Sequence, residues 1–134
     1  MKKLLLILFF LLFGCISMEI REVKYNELSV KKYKQFDGRI FSINCSSSDY
    51  DMGSVKEKCI KKIASKVLES NYLYFIIITA NQDRLQSNYI YGNSESISGH
   101  TITENTINYT FILLKEDEIE NYDNYYKALD YAKN

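Results

Sequence analysis

Proline and tryptophan are absent from this sequence, histidine occurs once, and there are only five glycines and three cysteines. A single His excludes a His-rich metal centre and makes any Ser-His-Asp or Cys-His catalytic system depend on His100 alone. No Gly-rich loop cradles a phosphate, and no Gly-x-Ser-x-Gly elbow presents a nucleophile. Neither sign of charge is in excess, with 17 Lys and Arg against 17 Asp and Glu. Nucleic-acid binding needs clustered positive charge in clear surplus, so no nucleic-acid partner is expected. What is present is apolar material: 46% hydrophobic residues, with aromatics making up 14% of the chain, is too much for a disordered polymer. A length of 134 residues corresponds to one domain.

Lys2 and Lys3 precede ten uninterrupted apolar residues, Leu4 to Phe13, followed by Gly14 and Cys15. Ten is about half of the ~20 residues that cross a bilayer as a helix, so the run reads as the apolar segment of a secretory signal. Its end, Leu12-Phe13-Gly14-Cys15, resembles a bacterial lipobox, with Leu three positions before an obligatory Cys and a small residue just before it. Phe13 departs from the small or branched residue usual in the middle of that motif. The resemblance implies a diacylglyceryl thioether on Cys15, cleavage after Gly14 and N-acylation of the new amine, with no other cofactor. Each buried methylene contributes ~0.8 kcal/mol, and two or more chains anchor stably. The alternatives are an ordinary secretory signal cut elsewhere or an uncleaved anchor helix; the first needs a small-x-small site, which is missing nearby. Ile16 is not the Asp that retains some lipoproteins in the inner membrane of diderm cells. The expected location is therefore the periplasmic face of the outer membrane in a diderm cell, and otherwise the outer face of the cell membrane.

Removing Lys2 and Lys3 leaves 15 basic against 17 acidic side chains, a formal charge of −2 that selects no partner. Lysines concentrate at 54–70 and acids at 115–134, a distribution that reads as two solvated surfaces. Lys31, Lys32 and Lys34 are fewer than the usual four to eight of a lipid-binding basic cluster. With Cys15 lipidated, Cys45 and Cys59 remain, and an even remainder in an exported chain suggests a disulfide. The alternative is a pair of buried thiols.

Residues 16–37 are polar and read as a tether with a short strand near Val30. From Arg39 the chain alternates, with Phe41, Ile43 and Cys45 on one face and Ser42 and Asn44 on the other, which predicts a half-buried strand. Ser54-Val55-Lys56-Glu57 fits a capping box, and Val55, Cys59, Ile63 and Val67, widened by Ile60, Ala64 and Leu68, form a helical stripe. Asn71 is suited to close that helix in the left-handed conformation. Tyr72 to Ala80 is apolar and β-branched and predicts a central strand covered on both faces. Residues 81–100 read as a polar loop with a short strand at Tyr89-Ile90-Tyr91. Thr101 to Leu114 predicts a strand with Ile107, Tyr109, Phe111 and Leu113 on one face. Tyr122 to Ala132 predicts a last short helix with Tyr122, Tyr125, Tyr126 and Leu129 inward.

The expected class is α+β: one main amphipathic helix packed on a small, mainly antiparallel sheet, with a short C-terminal helix. The expected organisation is a lipoprotein signal peptide at 1–14, the lipidated Cys and tether at 15–37, and a globular domain at 38–134. Cys15, the strand with Phe41-x-Ile43, the helix with Ala64, and Glu69-Ser70-Asn71-Tyr72-Leu73-Tyr74-Phe75-Ile76 together resemble the Caulobacter-type family of small bacterial lipoproteins. Those proteins carry Gly-Tyr-x-Tyr-Phe where this chain has Asn71-Tyr72-Leu73-Tyr74-Phe75. The likeness spans about residues 39–80 and implies an envelope lipoprotein with no established catalytic residues.

Asp49-Tyr50-Asp51-Met52-Gly53 has the spacing of a calcium-loop opening, but Ile60 stands where the closing bidentate Glu belongs, and carboxylates before a helix are explained by its dipole. No metal is expected. Twelve tyrosines are the most unusual abundance. Tyr72, Tyr74, Tyr89, Tyr91 and Tyr109 are candidates for a surface that binds an envelope protein or a glycan, with core and sheet packing as the alternative. The expected function is a non-enzymatic, lipid-anchored binding or structural module. The competing expectation is a small hydrolase or metal-dependent enzyme that uses His100 with Asp49 or Asp51.

Overall fold

The computed structural model describes residues 16–28, 31–91 and 98–132, with backbone alone at 31–32, 85–91 and 98–102. The expected signal peptide and Cys15 lie outside the described residues. One antiparallel sheet contains β1 (Ser17–Glu22), β2 (Ile40–Ser47), β3 (Tyr74–Tyr91), β4 (Ser98–Leu114) and β5 (Tyr126–Lys127), in the order β1-β2-β4-β3-β5. Helix α1 (Met52–Glu69) connects β2 to β3, and the short helix α2 (Ala128–Ala132) follows β5. This is the α+β arrangement the sequence predicts. Because β2 and β3 both pair antiparallel with β4, they run parallel to each other, and α1 crosses the strand between them.

The helical stripe does what its spacing predicts. Val55, Cys59, Ile63, Ala64 and Val67 are fully buried against Ile43, Phe75, Ile107, Phe111 and Leu113. The helix starts upstream of the expected capping box, because the Asp51 carboxylate accepts from the Ser54 N–H at 2.7 Å and so supplies the cap first. That bond from the Ser54 backbone holds the Asp51 carboxyl below the usual carboxylate range. At the other end Asn71 has φ 66°, and the N–H groups of Tyr72 and Asn71 donate to the carbonyls of Val67 at 3.0 Å and Leu68 at 3.1 Å. This is the Schellman closure for which Asn is suited. Cys45 of β2 and Cys59 of α1 form a fully buried disulfide with their Cα atoms 6.1 Å apart.

The described residues of 16–37 are not a tether. Ile16, Met18 and Ile20 alternate with Ser17, Glu19 and Arg21, and β1 pairs with β2 so that the apolar set packs against the helix-side core. The following segment forms 3-10 turns at Tyr25–Glu27 and Lys31–Phe36, and Val23 and Phe36 cover Ile40, Ile76, Ile112 and Leu114 on the opposite face of the sheet. The described part near the expected Val30 strand is therefore 3-10 helix, folded over a second small core.

The expected central strand is displaced by one position. Its apolar part is indeed packed on both faces, Phe75 and Ile77 toward the helix and Tyr74, Ile76 and Ile78 toward the second core. The centre of the sheet is β4, because the hairpin returns β4 into the gap between β3 and β2. A bulge between Ile77 and Thr79 shifts the register, after which β3 turns polar. The stretch 81–100, expected as loop, continues as a two-stranded ribbon out to Tyr91 opposite Ser98. Antiparallel pairing satisfies its backbone where no apolar pattern reports a strand. At the C-terminus, Phe75 opposite Tyr126 and Tyr74 opposite Lys127 draw the chain into β5, so helix forms only from Ala128. Tyr126 stacks on Phe75 with ring centroids 5.0 Å apart, and Tyr122 packs on the second core. Tyr125 and Leu129, expected inward, are exposed, and Ala128 takes the buried position.

Replacing Cys45 and Cys59 together by Ala is expected to lower the unfolding free energy by about 3 kcal/mol, the entropic value for a loop of this length. Urea denaturation of the variant against the oxidised parent measures it, and a loss below about 1 kcal/mol would show that the helix holds β2 without the bridge.

Candidate functional site

The tyrosine candidates do not form one surface. Tyr109 is buried on the helix side of β4, and burial pushes its phenol pKa up. Tyr74 lies on the opposite face beside the second core, edge-on to Tyr125 at 5.7 Å. Tyr72 is half-buried below the end of α1, its ring 5.7 Å from the Arg39 guanidinium. Tyr89 and Tyr91 sit far out on the ribbon, where the backbone alone is described.

The His100 constellation is not assembled either. His100 lies on β4 opposite Tyr89, not in a loop. Asn105 marks the position of the 49–51 turn, since its Nδ2 donates to the Tyr50 carbonyl at 2.8 Å. Five residues of strand between His100 and Asn105 span roughly 17 Å. Asp51 is occupied by capping α1. Among the described residues no three His, Cys, Asp or Glu side chains are grouped to hold a metal ion.

A different surface emerges from the register. On the face away from α1, Glu19, Asn44, Asn108 and Asn81 stand in one row across β1, β2, β4 and β3. The next row in one direction is Arg21, Ser42, Thr110 and Thr79, and in the other Ser17, Ser46, Thr106 and Asp83. Strand spacing makes this polar grid roughly 14 Å on a side. Its amides and hydroxyls are neutral toward the middle, with Glu19, Arg21 and Asp83 at the borders. Asn44 and Asn81 are exposed, Asn108 is half-buried, and the Asn108 Nδ2 donates to Ser42 Oγ at 3.4 Å. A shallow depression of about 550 Å³ lies over Glu19, Arg21, Ser42, Asn44 and Asn108. Such a face offers many donors and acceptors at fixed spacing to a polar, uncharged ligand. The polar half of the alternation at Ser42, Asn44, Asn108 and Thr110 was legible in the sequence; its alignment into rows depends on pairing between strands far apart in the chain.

The rest of that face is closed by the second core and by an ion pair. Arg39 donates from both terminal nitrogens to Glu118, at 2.7 and 2.9 Å, and from one of them to the Leu113 carbonyl at 3.3 Å. The guanidinium also sits 5.0 Å from the Phe36 ring, while Glu118 accepts from the Lys115 N–H at 2.7 Å. The hydrogen bond from Arg39 lowers the Glu118 pKa against the opposing cost of burial, and the same bond raises that of Arg39. A depressed folded-state pKa stabilises the protein above the unfolded Glu value and loses that stabilisation as pH falls through the folded value. Glu118→Gln is expected to lower stability by about 2 kcal/mol at neutral pH and to flatten its decline as pH falls through and below the ordinary Glu range, as measured by denaturant melts. Equal acid sensitivity in parent and variant would refute the role.

Among the described residues no helix is long and apolar enough to cross a membrane. Comparison of the chain with protein-family models, with curated proteins and with solved structures finds no match, so its assignment rests on its own residues.

Proposed function

We propose that the chain is a bacterial envelope lipoprotein, held by lipid on Cys15, whose domain binds a polar envelope component without catalysis. The observation that carries the anchor is the order Lys2-Lys3, Leu4 to Phe13, Gly14 and Cys15. The observation that carries binding is the row of Asn44, Asn81 and Asn108 set by the pairing of β2, β4 and β3, with Asn44 and Asn81 exposed and Asn108 half-buried. A protein partner of ordinary affinity needs an apolar core to its interface, which this face lacks. A hydroxyl-rich glycan matches the fixed amides, and the cell-wall glycan is the abundant one at this location.

Cys15→Ser is expected to abolish acylation and release the protein from the membrane fraction; mass spectrometry showing the parent without added acyl mass would end the lipoprotein reading. Replacing the exposed Asn44 and Asn81 together by Asp is expected to weaken cosedimentation with purified peptidoglycan about tenfold, the effect of losing roughly one good hydrogen bond, with an unchanged fold by circular dichroism. Undiminished sedimentation would remove the open face as the site.

A further inference from the structure

The register puts the anchor point and the ribbon at the same end of the sheet. Ser17 pairs with Ser46, Ser47 with Asn105, and Asn105 with Arg84. Cys15 is two residues before Ser17, so the lipid-bearing residue stands within roughly 7 Å of the end of β1. Past this same end β3 and β4 continue as seven further residue pairs, from Leu85 opposite Glu104 to Tyr91 opposite Ser98, a projection of roughly 24 Å. A chain folded from Ser17 onward has no slack to lift the domain away from a bilayer that holds Cys15. The ribbon therefore starts at the membrane surface and extends beyond the attachment point.

Composition favours the lipid interface as its resting place. In a chain with 25% charged residues, the paired positions 85–91 and 98–104 contain a single charged residue, Glu104 at the base of the ribbon, and the segment joining the two strands adds Glu95. The outermost paired stretch of β3 is Tyr89-Ile90-Tyr91, and tyrosine combines an apolar ring with a polar tip in the way that enriches it at headgroup level.

We propose that the β3–β4 ribbon is a membrane-contacting arm, with the Tyr89–Tyr91 stretch seated at the headgroup boundary of the bilayer that holds the Cys15 lipid. This rests on the lipoprotein reading and adds a second, non-covalent contact to it. The contact fixes the orientation of the domain, which a single attachment point leaves free to turn.

Because the chain has no Trp, Tyr91→Trp provides a single fluorescent reporter, and Leu73→Trp, at an exposed position at the opposite end of the sheet, provides its control. Each full-length lipidated variant is reconstituted into phosphatidylethanolamine–phosphatidylglycerol vesicles with brominated acyl chains, and acylation is verified by mass spectrometry on the same sample. Tyr91→Trp is expected to lose about half its emission to bromine, as a residue several ångströms into the boundary does, while Leu73→Trp stays unquenched. Acylated protein with no quenching at position 91, or with equal quenching at both positions, overturns the arm and leaves the anchor standing. A blue-shifted but unquenched Tyr91→Trp shows the ribbon packed on a second copy and likewise overturns it. Absence of acyl mass overturns the lipoprotein reading, and the arm falls with it.

Discussion

The fold depends on β4 being paired along both edges and, from Phe111 to Leu114, buried on both faces. Such a strand must supply apolar side chains at consecutive positions, and Phe111, Ile112, Leu113 and Leu114 do so. Phe111 and Leu113 face α1, while Ile112 and Leu114 face the turns formed by 23–36. Two small cores thus share one strand, and each stabilises the pairing on which the other is built. The disulfide tightens the first core, and the Arg39–Glu118 pair clips the second to the end of β4.

The same strand separates a closed half of the sheet from an open one. Toward Leu114 both faces are covered; toward Asn105 only the helix side is, and the other side carries amides and hydroxyls in register. Farther on, β3 and β4 continue as the paired ribbon, whose positions 85–91 and 98–104 carry no fixed charge beyond Glu104 at its base. Burial decreases along β4 in the direction of the proposed anchor. On the proposed reading, the rigid end of the molecule faces away from the membrane, and the surfaces with unspent hydrogen-bonding capacity lie near it.

Several elements were legible because their signal is local. The α1 stripe, the left-handed Asn71, the alternating faces of β2 and the one-sided set Ile107, Tyr109, Phe111 and Leu113 each depend on spacing within a single segment. The alternation of Ile16, Met18 and Ile20 was equally local, and its short length beside a charged stretch hid it. The capping site was misplaced because Asp51 and Ser54 both suit a helix start, and only the path of the chain into the helix selects Asp51. The tyrosines misled because their abundance carries no direction: Tyr109 and Tyr74 are on opposite faces of the sheet.

The sequence alone determined the class of fold, the main helix with its closing Asn71, the pairing of Cys45 with Cys59 as an expectation, and the resemblance of the N-terminus to an anchoring signal. These follow from composition, periodicity and the short list of residues that a given backbone shape or reaction admits. Tertiary structure decided that β4 is central, that residues 17–28 and 31–36 belong to the domain, and that Asn44, Asn108 and Asn81 stand in a row. Those outcomes depend on which distant strands exchange hydrogen bonds, and backbone donors and acceptors are the same at every residue, so side-chain identity near each strand does not name its partner.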